Sequence, residues 1–127
     1  MWFWRRQAPL TGAPRVRRQK SYSGQSGYVY QYFYEGYRRL RSATEYVFDV
    51  SSGRKPSFPV KVVLHDEAVA SWEAAHGRPL SSTERYAVAK IALFRAFDER
   101  PTPAHLREAI QIRSADIGDI SEILGID

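Results

Sequence analysis

The sequence predicts an α+β domain: a three- or four-stranded antiparallel meander packed on one face by three to four helices, preceded by an irregular basic arm. Three observations lead there. Side chains alternate with period two over residues 28–35, 44–50 and 58–64, the spacing of strands with one buried face. Beyond residue 65 the apolar spacing changes to three and four, with capping residues at the changeovers. The positive charge is also concentrated at the front. Of 127 residues, the first 20 hold Arg5, Arg6, Arg15, Arg17, Arg18 and Lys20 with no acid, so they carry +6 and the other 107 residues sum to −1.

Residues 1–26 include Pro9, Gly12, Pro14 and Gly24 and show neither period, so they read as an arm; residues 27–127 read as one domain. Its three leading aromatics precede the basic residues and no apolar stretch follows, which is not the layout of a secretory signal. Pro9 and Pro14 interrupt the amphipathic helix that a transit peptide needs. The expected location is cytoplasmic.

In the first strand Tyr28, Tyr30, Tyr32 and Tyr34 lie opposite Val29, Gln31, Phe33 and Glu35. The second places Tyr46, Phe48 and Val50 on one side, and the third Phe58, Val60, Val62 and Leu64. Turn residues Ser51 to Pro56 join the last two as a hairpin. Asp66 is read as the cap of a helix that ends at Gly77 before Pro79. Ser81 and Glu84 form a capping box for a longer helix to about Glu99, the predicted central helix. Thr102 and Pro103 start a short helical turn, residues 110–113 a short fourth strand, and residues 116–124 a last helix stopped by Gly125.

If one sheet face packs on the helices, it is the one with Tyr46, Phe48, Val50, Val60, Val62 and Leu64, and the tyrosine ladder shares it. The opposite face then shows Glu35, Glu45 and Asp49 against Lys61, a sum of −2 that repels phosphates. In this register the arm and the turn containing Arg54 and Lys55 lie at one end, while Arg38, Arg39 and Arg41 sit in a connection at the other.

With no cysteine, a disulfide framework, a thiolate zinc site and a cysteine nucleophile are excluded. No apolar run approaches the roughly 18 to 20 residues of a membrane span. The run His65-Asp66-Glu67 offers a general acid or base, but capping by Asp66 accounts for the same residues. Phosphate-binding loops, dinucleotide fingerprints, nucleophile elbows and metal-ligand spacings do not occur. No catalytic residue, metal ligand or cofactor is therefore predicted, and an enzyme using His65 ranks third among the functional readings.

Ahead of it stands a small non-enzymatic binding or accessory module that docks on a larger protein partner. The docking residues are Trp2, Phe3, Trp4, Arg5, Arg6, Arg15, Arg17, Arg18 and Lys20, with Arg54 and Lys55 in support. Exposed tryptophans mark surfaces that become covered, and Trp2, Phe3 and Trp4 beside arginine also suit a membrane surface. The alternative is nucleic-acid binding through the same basic patch. The face assignment has its own test: Phe48→Ala costs roughly 3 to 5 kcal/mol if the ring is in a well-packed core. A denaturant titration shifted by less than about 0.5 kcal/mol would put it on the other face.

Overall fold

The computed structural model describes residues 8–126 and shows an α+β fold. Its elements are β1 (Lys20–Ser23), β2 (Val29–Arg39), β3 (Ala43–Ser52), β4 (Phe58–His65), α1 (Asp66–His76), α2 (Ser82–Glu99), a 3-10 turn (Pro103–Arg107), β5 (Ile110–Ile112) and α3 (Ser114–Leu124). They form one sheet in the order β1-β2-β3-β4-β5. The first four strands are antiparallel neighbours, and β5 runs parallel to β4 through Val62↔Ile110 and Leu64↔Ile112.

The sheet is thus larger than expected and mixed. β5 is parallel because the chain reaches it from β4 by way of α1 and α2, a crossover connection and not a hairpin. The extra strand, β1, comes from the segment read as irregular arm. Only one of its four residues needs the core: Tyr22 stacks on Phe94 with ring centroids 4.4 Å apart, and its hydroxyl donates to Asp98 at 2.9 Å. One anchor in four residues leaves no period to read. The turn into β2 is tied to the end of α2 as well, since Gln25 N donates to Asp98 and Ser26 Oγ to the Phe97 carbonyl.

The core is where the alternation placed it. Tyr30, Tyr32, Phe48, Val50, Val60, Val62 and Leu64 pack from the sheet against Trp72, Val88, Leu93 and Phe97 from the helices. Tyr30 stacks on Phe97 at 4.2 Å, whereas Tyr28 precedes β2 and is 38% exposed. The Ser81 and Glu84 capping box opens α2, and Gly77 and Gly125 end α1 and α3 in the left-handed conformation. Asp66 is a correction. It occupies the first helical position, His65 precedes it without a capping hydrogen bond, and the Asp66 carboxylate takes two bonds of 2.8 Å from Arg39.

One irregularity reorders the far half of β2. Tyr34 pairs with Phe48, but the next β3 residue, Val47, pairs with Gly36, so Glu35 is an extra residue in the ladder. Such a bulge reverses the alternation of every residue after it. Tyr37 therefore lies opposite Tyr46 on the helix-facing side, and Arg39 opposite Thr44, while Arg38 faces outward opposite Glu45. Arg38 and Arg39, expected in a connection, are strand residues.

Gly36 has φ +118°, and a Cβ there would lie 2.5 Å from the Thr11 carbonyl oxygen. Residues 8–19 use that close approach to run along the β2 edge as a strap: Thr11 and Tyr37 exchange two backbone hydrogen bonds of 2.8 Å. Gly36→Ala should accordingly loosen the strap and destabilise the fold by roughly 1 to 3 kcal/mol. Trypsin should cleave the variant faster at Arg15, Arg17 and Arg18, and unchanged cleavage and stability would show that the glycine is dispensable.

Candidate functional site

Three walls enclose a groove on the helix-facing side of the sheet, beyond the edge of the core. Its floor is the half of β2 that carries Tyr32, Tyr34 and Tyr37, with Tyr46 of β3 beside them. The first two turns of α2, with Ser82, Thr83, Arg85 and Tyr86, form one bank. The strap, with Gly12, Pro14, Arg15, Val16, Arg18 and the start of β1, forms the other. The groove consists of two cavities of about 470 and 520 Å³ that share Tyr34 and Tyr86.

The tyrosines meet the groove where the first turns of α2 lie against the sheet, with Tyr86 over Tyr34 and Tyr46. Tyr34 packs on Phe48 at 5.3 Å and against Tyr86 at 4.6 Å, while Tyr37 lies 6.0 Å from Tyr46. On the strap side, a Cβ at Gly12 would come within 2.7 Å of the Tyr37 ring, and φ at Gly12 is +75°, so only glycine fits that wall. The hydroxyls of Tyr32, Tyr34, Tyr37, Tyr46 and Tyr86 have no hydrogen-bond partner among the described residues. Burial pushes the Tyr32 and Tyr46 hydroxyls up to about 12 and raises Tyr34 and Tyr86 as well. All four are neutral at physiological pH and can donate as well as accept.

The rim is cationic. Among the described residues that line the two cavities, Arg15, Arg18, Lys20, Arg39 and Arg85 are charged and none is acidic. Arg39 is engaged by Asp66, and Arg85 lies 3.8 Å from Glu73. Arg15, Arg18 and Lys20 make no ion pair or side-chain hydrogen bond among the described residues. Lys90, one turn beyond Tyr86 on α2, stands over the Phe94 ring at 5.8 Å; burial, and then the charge of Lys20, pull its ammonium below the usual value. Positive charge is concentrated at the strap end with no counter-ion among the described residues.

On the outer face the opposite holds. Arg17 crosses the sheet edge, stacks on Phe33 at 3.7 Å, and bonds both Glu35 at 2.7 Å and Asp49 at 3.0 Å. Arg38 pairs with Glu45 at 2.6 Å, both side chains nearly buried, and donates to the Ala8 carbonyl. The acids expected to give that face a charge of −2 are thus neutralised by cations from the strap and β2.

The residues singled out from the sequence therefore separate. Arg15, Arg18 and Lys20 meet at the groove, and Arg17 is spent within the fold. Trp2, Phe3, Trp4, Arg5 and Arg6 lie outside the described residues. Arg54 and Lys55 do not join the strap: they follow Ser52, opposite Tyr30, whereas Thr11 lies opposite Tyr37 seven residues further along β2. The reason is β1, which turns the chain back on itself. Lys55 instead borders a separate cavity with Tyr28, Phe58 and Arg107.

His65 Nε2 is 2.6 Å from the Gln111 side-chain oxygen, Asp66 holds Arg39, and Glu67 holds Arg113 at 3.0 Å, so each member of that run makes a local structural contact. Among the described residues no group of three or more His, Asp or Glu is placed to hold a metal ion, and no helix is long and apolar enough to cross a membrane. Compared with protein-family models, with curated proteins and with solved structures, the chain matches none.

The bank formed by α2 depends on its first turn. Glu84 takes two bonds from Arg78, at 3.0 and 2.9 Å, and one from Ser81 N at 3.0 Å; the Arg78 guanidinium first, and then the Ser81 backbone, hold its carboxyl down to about 2 from the usual 4.5. A carboxyl lowered by folding stabilises the native state above its unfolded value and loses that contribution as pH falls through the folded value. The stability gap between the natural chain and Glu84→Gln should therefore close between about pH 4.5 and 2 in thermal melts. A gap independent of pH would mean that the ionised carboxylate is not what caps α2.

Proposed function

We propose that this chain is a small non-enzymatic binding module that docks an anionic partner in the groove between the strap and α2. One observation carries the reading: among the described residues Arg15, Arg18 and Lys20 stand without counter-ions along a tyrosine-floored groove whose lining contains no acid. Elsewhere on the sheet Arg17, Arg38 and Arg39 are each held by a carboxylate, and Lys61 of β4 stands alone on the outer face among the described residues. Unpaired cations beside an apolar recess favour a ligand that brings both negative charge and a flat or apolar surface. Docking through the basic front segment is retained from the sequence reading, with its centre moved from the arm's first residues and the Arg54-Lys55 turn to the groove.

Charge reversal tests this directly. Because Arg15, Arg18 and Lys20 make no ion pair among the described residues, Arg15→Glu/Arg18→Glu/Lys20→Glu should leave stability within about 0.5 kcal/mol for each site. Elution from immobilised heparin should nevertheless move to clearly lower salt. A control with Arg54→Glu/Lys55→Glu reverses two cations at the other end of β2, and Arg15→Glu/Arg18→Glu is its equal-charge counterpart on the strap. If the control shifts elution and the strap variant does not, the groove is not the docking surface.

A further inference from the structure

We infer that the occupant of the groove is single-stranded nucleic acid, with bases against the tyrosine rings and phosphates along the strap; this rests on the anionic-partner reading above. The ring floor is the first argument. Base stacking on aromatic side chains is tolerant of sequence and needs ring surface beside a cationic track. Tyr34 and Tyr86 supply the rings shared by both cavities, Tyr37 is 38% exposed at the far one, and Arg15, Arg18 and Lys20 line the near one.

The second argument is polar. Tyr32 and Tyr46 are 4% and 5% exposed, and their hydroxyls have no protein partner among the described residues. Base edges carry donors and acceptors side by side, which a neutral tyrosine hydroxyl can meet in either role. Carboxylates of an acidic peptide only accept. Size agrees too: each cavity has the volume of a small-ligand site, so the pair accommodates two successive nucleotides, one on each side of Tyr34 and Tyr86. A duplex keeps its base faces stacked on one another and offers the recess nothing but phosphates. Glu35, Glu45 and Asp49 lie on the opposite face of the sheet and are already paired, while Asp66 and Glu73, near the far cavity, are engaged by Arg39 and Arg85.

The test uses the full chain and four fluorescein-labelled probes in anisotropy titrations: a uridine 12-mer, an abasic 12-mer with the same phosphates, a 12-base-pair duplex and a polyglutamate 12-mer. The uridine strand should bind at least about tenfold more tightly than each of the other three. Its log–log salt slope should be about −2 to −3, from roughly −0.7 per phosphate neutralised by three to four cations. Tyr37→Ala, at the most exposed ring of the floor, should weaken it about 5- to 150-fold while leaving the abasic strand unchanged. Tyr34→Phe, which keeps the ring and the fold, should retain stacking and lose only the hydroxyl's share.

Equal affinity for uridine and abasic strands would overturn base recognition and leave an anion-docking surface. Tighter binding of polyglutamate would overturn it in favour of an acidic protein. Absence of binding by all four at low salt would remove the anionic-partner reading itself.

Discussion

The extra residue at Glu35 and the glycine that follows it govern everything at this end of the molecule. Without the bulge, strict alternation would carry Tyr37 and Arg39 to the outer face and Arg38 to the inner one. The tyrosine floor would stop at Tyr34, and the Arg38–Glu45 pair, Arg39–Asp66 pair and strap bridge could not form as they do. Gly36 adds the close approach. With no side chain and a positive φ, it lets the Thr11 carbonyl come where a Cβ would stand, so the strap can pair with β2 directly. A single local departure from the ladder thus sets the composition of one groove, one face and one edge.

Charge follows the same division. The outer face contains acids that the sheet pattern cannot avoid, and Arg17 and Arg38 answer them; at the strap end of the inner groove Arg15, Arg18 and Lys20 have no acid to answer them among the described residues. Arg17 and Arg18 are adjacent in sequence yet serve opposite sides, Arg17 on the outer-face acids and Arg18 at the groove. Surface ion pairs contribute little to stability, typically 0 to 1 kcal/mol, so the Arg17 contacts act mainly in fixing which side of the strap each neighbour faces. Arg38 differs: it is almost buried against Glu45, and loss of one member would leave an uncompensated charge costing about 3 to 5 kcal/mol.

Much of the fold was legible because it depends on periods and caps. The inner-facing residues Phe48, Val50, Val60, Val62 and Leu64, the box of Ser81 and Glu84, and the stops at Gly77 and Gly125 each follow from two or three residues acting locally. What escaped depends on partners distant in sequence. β1 exists because Tyr22 meets Phe94 and Asp98 more than 70 positions away, and the Asp66 carboxylate left its expected capping role because Arg39 was brought to it by the bulge. The bulge had a faint signal, a glycine inside a strand pattern two residues after Tyr34 and directly before another tyrosine. The groove had none, since Arg15, Arg18 and Lys20 gain their setting only when β1 folds the strap beside Tyr86. Arg54 and Lys55 were joined to them on a register that assumed no strand before β2.

The two banks of the groove are built to different standards of rigidity, and that difference bears on how it can bind. Tyr34 and Tyr86 are wedged against Phe48, and Tyr22 and Phe94 stack behind the β1 end, so the floor and the α2 bank are extensions of the core. Such rings are ordered before a ligand arrives, which removes part of the entropic cost of association. The strap between Gly12 and Lys20 is secured at its ends by the Thr11–Tyr37 bridge and β1, and in the middle by Arg17 alone. Its other cations, Arg15, Arg18 and Lys20, are long, exposed and without an ion pair among the described residues. In the docking proposed above, a floor that extends the core and a bank of exposed cations would suit a ligand whose flat groups repeat and whose charges lie along a chain.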